Sequence, residues 1–122
     1  MNNNFIYPKR GEIWLAKTDK IKEFSKDFCP FLIISNNLQN EQADEVIVIS
    51  FTTQRINQVY PFEVFIKSND ENGLTESNKI TTSLLFSLNK ELRLIKKLGK
   101  INNYQMLEVE KALHFSLNMK CI

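Results

Sequence analysis

Phe31-Leu32-Ile33-Ile34-Ser35 and Val46-Ile47-Val48-Ile49-Ser50-Phe51 decide the fold. Each is a short, nearly unbroken apolar run, and the second is rich in β-branched residues. A strand with one wet face alternates apolar with polar. An unbroken run of strand length suits a strand buried on both faces. Working outward, Glu12–Lys17 (EIWLAK) is a strand-length segment behind Gly11. Tyr60–Lys67 (YPFEVFIK) alternates after Pro61, with Phe62, Val64 and Ile66 on one face and Glu63, Phe65 and Lys67 on the other. Asn72-Gly73 marks a turn, since both residues tolerate positive φ. A further strand is expected through Lys79–Leu88. Short strands joined by short turns predict a small, strongly bent sheet or barrel.

The period changes toward the end of the chain. From Tyr104 onward, Met106, Val109, Leu113 and Leu117 fall on one helical face, and Asn102 or Asn103 can cap the start. This predicts an amphipathic helix over Asn103–Met119, packed on the sheet. Asn89 is placed to cap a short helix over Lys90–Ile95 that ends near Gly99. The connection Thr18–Phe28 is long, charged and aperiodic, and such loops on a rigid sheet often carry function. With no repeat and no linker, residues 1–122 are expected to form a single domain, mainly β with appended helices.

Composition narrows the function by exclusion. The chain has 122 residues, 43% hydrophobic and 25% charged, the balance of an ordinary soluble globule. A net charge of +2 argues against a basic tail that coats phosphate indiscriminately. The single histidine, His114, excludes any mechanism needing two histidines in one subunit, and a histidine-rich metal site. It falls mid-helix, off the apolar stripe. Cys29 and Cys121 are far apart and form no CxxC pair, so they read as two reduced cytosolic thiols. Met1–Arg10 holds no apolar run long enough for a signal peptide, and no segment approaches the roughly 20 apolar residues of a membrane span. A cytoplasmic location without membrane contact is expected. There is no Gly-rich phosphate loop, HExxH or GxSxG elbow, and neither a cofactor nor a metal is expected. Asp44-Glu45 and Asp70-Glu71 lie in polar stretches and read as solvated charge. At the exit of the second apolar run, Thr52-Thr53-Gln54-Arg55 gathers hydroxyls, an amide and a guanidinium, groups that can hold a phosphodiester.

Four segments, in order, resemble the MazF/PemK family of toxin endoribonucleases. Lys9-Arg10-Gly11-Glu12-Ile13-Trp14 is similar to the family's opening KRGDI-type strand. Pro30-Phe31-Leu32-Ile33-Ile34-Ser35-Asn36-Asn37 is similar to its RPvLIISNd strand and turn. Phe51-Thr52-Thr53-Gln54 followed by Tyr60-Pro61-Phe62-Glu63-Val64 is similar to its TTQ…yPFEV pair. Ser83 to Ile101, ending Lys97-Leu98-Gly99-Lys100-Ile101, is similar to its closing kkiGkl-type stretch. The resemblance covers nearly the whole chain. It implies a small SH3-like β-barrel with a C-terminal helix, usually a homodimer, held inactive by a small cognate antitoxin. It implies cleavage of single-stranded RNA without a metal, the 2′-hydroxyl attacking its own phosphate and leaving a 2′,3′-cyclic end.

The resemblance also assigns residues. Thr52 matches the family's catalytic threonine. The family's catalytic arginine stands immediately before the proline of the second motif, and here that position is Cys29. A thiol offers no fixed charge and no bidentate donor. The family's Gln and Arg in the later strand are replaced by Leu84 and Phe86, and its GSEQ-type loop by Glu23-Phe24-Ser25-Lys26-Asp27-Phe28. Lys26 and Arg55 are the cations best placed in sequence to take over catalysis beside Thr52. Arg10, Phe24, Phe28, Thr53 and Gln54 are the expected substrate-binding residues, the aromatics by stacking on bases. Two other functions fit the same barrel. One is an impaired family member that binds RNA or an antitoxin and regulates. The other is a gyrase poison of the CcdB type, acting through the chain's last residues.

Overall fold

The computed structural model describes residues 7–120. The elements are β1 (Glu12–Lys17), β2 (Phe28–Ile33), α1 (Asn37–Gln42), β3 (Glu45–Thr52), β4 (Glu63–Ile66), β5 (Asn78–Asn89), α2 (Lys90–Arg93), β6 (Leu94–Lys100) and α3 (Asn103–Ser116). The six strands form one sheet in the order β4-β5-β3-β2-β1-β6, every pair antiparallel.

The unbroken apolar runs are explained by what covers the sheet. On β3, Val46 and Val48 point to one face and join Ala16, Phe31, Ile33 and Leu88. Ile49 and Phe51 point to the other and join Ile13, Leu32, Ile66, Ile80, Met106 and Val109. Helix α3 closes the second face. The first is closed in part by the connection between β1 and β2, through Ile21 and Phe24. Both faces are therefore covered over Phe31–Ile33 of β2 and most of Val46–Phe51 of β3, and these runs cannot alternate.

Strand β5 serves two neighbours by bending. Its pairing with β3 jumps from Ile49↔Leu85 to Phe51↔Ile80, an irregularity that leaves residues between them outside the ladder. The segment before the bend, Asn78 to Thr81, also pairs with β4. Extra residues on one strand bend it and raise its twist, and this curls the sheet toward a barrel.

Closure is not by a strand pair. β4 and β6 are the two edges and do not pair with each other. The loop after β4 fills the gap: the Lys100 N–H donates to the Glu71 carbonyl at 3.0 Å. Gly73 and Gly99 make this approach possible. A Cβ on Gly99 would collide with the Glu71 and Asn72 backbone, and one on Gly73 with the Leu98 backbone. Gly73 also takes the left-handed φ of 69° expected of the Asn72-Gly73 turn.

The helix ends are set by asparagines. Asn102 caps α3, its side chain accepting from the Gln105 N–H while the Gln105 side chain accepts from the Asn102 N–H. The helix stops at Ser116, short of the Met119 expected. Asn118 takes a left-handed φ of 54°, and the Met119 and Asn118 amides turn back onto the His114 and Phe115 carbonyls. The expected helix over Lys90–Ile95 is a single turn, capped by Asn89 and ending at Arg93. From Leu94 the chain pairs with β1 instead, so tertiary pairing overrides the local helical pattern. Helix α1 has no apolar face to announce it and rests on the Asn36 cap. Among the described residues, no helix is long and apolar enough to cross a membrane. Cys121 lies outside the described residues.

Candidate active-site groove

A groove of about 620 Å³ opens beside the end of β3, within the size range of ligand sites. It is built from parts distant in sequence. The β1–β2 connection contributes Glu23, Phe24 and Lys26, and β2 contributes Phe28, Cys29 and Pro30. The end of β3 contributes Thr52, Thr53 and Gln54. Leu15, Leu84, Lys96 and Leu98 line it from three other strands, and Thr75 and Glu76 from the loop after β4.

Thr52 is half-buried, and its Oγ1 accepts the Gln54 N–H at 3.1 Å. That bond orients the hydroxyl and leaves its proton free to donate. Lys26 and Lys96 are both exposed, and neither ammonium is paired with a described residue. Two carboxylates, Glu23 and Glu76, line the same groove. Hydroxyl, cations and carboxylates thus line one groove together with apolar side chains. Such a set can hold a phosphodiester, stabilise charge on it and move a proton.

The β1–β2 connection is held in place over the sheet. Phe24 packs on Phe31 and Phe86, with ring centroids 5.4 Å and 5.1 Å apart. The Thr18 N–H donates to the Asp27 carbonyl at 2.7 Å, closing the base of the loop. Arg93 Nη1 donates to the Lys17 and Asp19 carbonyls at 3.3 Å and 2.8 Å. Phe24 therefore anchors the loop, while Phe28, 52% exposed, offers the free ring.

The three arginines all lie outside this lining. Arg10 Nε donates to the Ile34 carbonyl at 3.1 Å, and its guanidinium stands 3.8 Å from Glu110 on α3. Arg55 is exposed in the loop after β3, with a left-handed φ of 51°. Arg93 belongs to the loop tether just described. Of the expected residues, Thr52, Thr53, Gln54, Lys26, Phe24 and Phe28 come together, and Arg10 and Arg55 do not. Lys96 is the cation that sequence reasoning missed. Lys96 and Leu98 line the groove, while Lys97 between them turns to Glu12 at 3.1 Å; with no clean period in this segment, the sequence carries no signal for Lys96.

Residues 9–117 match the sequence model of a family described as PemK-like, MazF-like toxin of type II toxin-antitoxin system. The chain belongs to this toxin family. Among solved structures, it is similar to an endoribonuclease in complex with its cognate antitoxin from a mycobacterial species. The TM-score is 0.76 at 23% identity, over 94% of this chain and 99% of that one. It is similar to another mycobacterial endoribonuclease with TM-score 0.77 at 22% identity, over 98% and 100% of the two chains. A chain of a MazE-MazF crystal structure from Deinococcus radiodurans is similar with TM-score 0.74 at 19% identity, over 95% of this chain and 100% of that one. Comparison with curated proteins gives no match.

Cys29, Leu84 and Phe86 each have a defined place in the structure. Cys29 is half-buried, packs against the first-face core and has the Thr18 hydroxyl 3.7 Å from its sulfur. Leu84 supplies apolar lining to the groove. Phe86 is one of the two rings on which Phe24 rests. Among the described residues, no group of three or more His, Cys, Asp or Glu could hold a metal ion.

Proposed function

We propose that this chain is the toxin of a type II toxin–antitoxin pair and cleaves single-stranded RNA. The observation that carries it is the convergence of the oriented Thr52 hydroxyl with Lys26 and Lys96 in one groove. The 2′-oxygen of the RNA attacks the adjacent phosphorus, and the bond from phosphorus to the 5′-oxygen breaks. The products are a 2′,3′-cyclic phosphate and a 5′-hydroxyl. Thr52 donates to a non-bridging oxygen, and the two lysines balance the charge that develops there. Glu23 and Glu76 are the groove carboxylates that can take the 2′ proton, and a lysine can return one to the leaving oxygen. No step uses a metal. Phe28 stacks on a base, and Thr53 and Gln54 hold the flanking backbone. The protein acts in the cytoplasm as a homodimer of single-domain chains and is restrained by a small cognate antitoxin. Solved neighbours that carry an antitoxin or MazE support that partner class.

Purified protein should cleave single-stranded RNA in a chelating buffer, and Thr52→Ala should slow it about 10²–10³-fold. Intact RNA after long incubation with pure protein would sink the proposal. Cys29 favours one second reading, that of a family member that binds RNA or antitoxin without cutting. On that reading Cys29→Arg creates cleavage where the natural chain shows none. Family membership leaves the gyrase-poison alternative without a supporting observation.

A further inference from the structure

Lys79 stands opposite Thr52 in the β3–β5 ladder. Its side chain is 4% exposed. An ammonium buried so far must be paired and hydrogen-bonded. Its Nζ donates to the Arg55 carbonyl at 3.0 Å, the Gln58 carbonyl at 2.7 Å and Glu63 Oε1 at 2.9 Å. These account for its three protons. The same Glu63 oxygen accepts the Tyr60 N–H at 3.2 Å. One side chain from β5 therefore gathers two carbonyls of the β3–β4 loop and the first residue of β4.

The loop's own geometry needs such a hold. Arg55 has a left-handed φ of 51°, unfavourable for a residue with a Cβ. The Gln58 N–H closes a turn onto the Arg55 carbonyl at 3.0 Å, the same oxygen that meets Lys79. The loop leaves the sheet at Thr52-Thr53-Gln54, the groove rim, and the Gln54 N–H fixes the Thr52 hydroxyl.

We propose that Lys79 is a positioning residue whose ammonium latches the 53–60 loop and so aims the Thr52 hydroxyl into the groove. The catalytic half rests on the cleavage reading above. Arg55 serves the site through its backbone carbonyl.

The test uses the full chain. Lys79→Met alone strands a buried carboxylate and endangers folding. Lys79→Met combined with Glu63→Met removes both charges, a replacement that buried pairs often tolerate. In this double variant, amide hydrogen exchange at residues 53–60 should accelerate at least about tenfold as the local opening cost falls. Its kcat should fall roughly 10- to 100-fold with KM changed less than about threefold, the pattern of a misplaced catalytic group. Glu63→Gln keeps a neutral acceptor for the Lys79 ammonium beside the two loop carbonyls but removes its ion pair, so its rate and protection should fall between those of the natural chain and the double variant. Unchanged exchange in the folded double variant overturns the latch. Faster exchange with wild-type kcat overturns the positioning role. If the natural chain cleaves no RNA, the cleavage reading has failed, and the exchange measurement decides the latch alone.

Discussion

Thr52 could be singled out from sequence because its neighbours in the chain, Thr53 and Gln54, are also its neighbours in the groove. Lys26 was legible for the same reason, since it sits in the long charged loop beside Cys29. Lys96 and Glu76 were not, because the sheet alone brings β6 and the loop after β4 to Thr52. Arg55 follows Thr52 by three residues in the chain but lies outside the groove lining. It takes a left-handed φ of 51° in the loop after β3, a conformation uncommon for a residue with a Cβ. The two groove lysines invite a quantitative check. Each phosphate contact with single-stranded nucleic acid contributes about −0.7 to the slope of log K against log salt. Lys26→Ala and Lys96→Ala should each make that slope shallower by about 0.7, measured by fluorescence anisotropy on a labelled RNA that cannot be cut. An unchanged slope for either removes that lysine from the binding site.

The elements divide by how much of them is buried. β2 and β3 were readable because their apolar runs are covered on both faces, and α3 because Met106 and Val109 of its stripe meet the core with Leu113 packed against it, while Leu117 lies past the helix end and is exposed. β6 was hidden: an edge strand reading Leu-Ile-Lys-Lys-Leu-Gly-Lys has no clean period, and its identity comes from pairing with β1. α1 was hidden because a capped polar turn carries no apolar signal. The close approach of the loop after β4 to the β6 edge depends on two glycines whose function is to have no Cβ. Gly99→Ala would drive a methyl into the Glu71 and Asn72 backbone. Backbone cannot swing aside as a flexible side chain does, so the cost should reach roughly 3 kcal/mol. Thermal melting should show Tm lowered by on the order of 10 °C. A change within a degree or so would mean the loop can part from β6 freely.

Across the molecule, two half-buried carboxylates tie stability to pH. Burial of Glu63 works against its ionisation, but hydrogen bonds from the Lys79 ammonium and the Tyr60 N–H outweigh it. Its carboxyl sits below the ordinary 4.5. Glu12 is lowered likewise: burial is outweighed by hydrogen bonds from the Trp14 indole, the Lys9 N–H and Lys97, with the charge of Lys97 added. A carboxyl depressed in the folded state binds fewer protons there than when unfolded. Its stabilisation is therefore complete above the unfolded value near 4.5 and is lost as pH falls through the lower folded value. Urea midpoints should hold above pH 5 and drop steeply below about 4.5, and Glu63→Gln should flatten part of that drop. An equal drop in the variant would place the acid sensitivity elsewhere.

The pairing of β1 with β6 joins opposite ends of the chain, Glu12 lying across from Lys100. Leu15 and Lys96 consequently line one groove although the ribosome makes them far apart in time. A nascent chain stopped before residue 94 already contains Thr52, Lys26 and Phe28, yet it has no β6 to pair with β1 and no far wall to its groove. Slow, non-local strand pairing of this kind cannot begin until both partners exist. An interrupted message would release a fragment that carries Thr52 without the far wall of its groove.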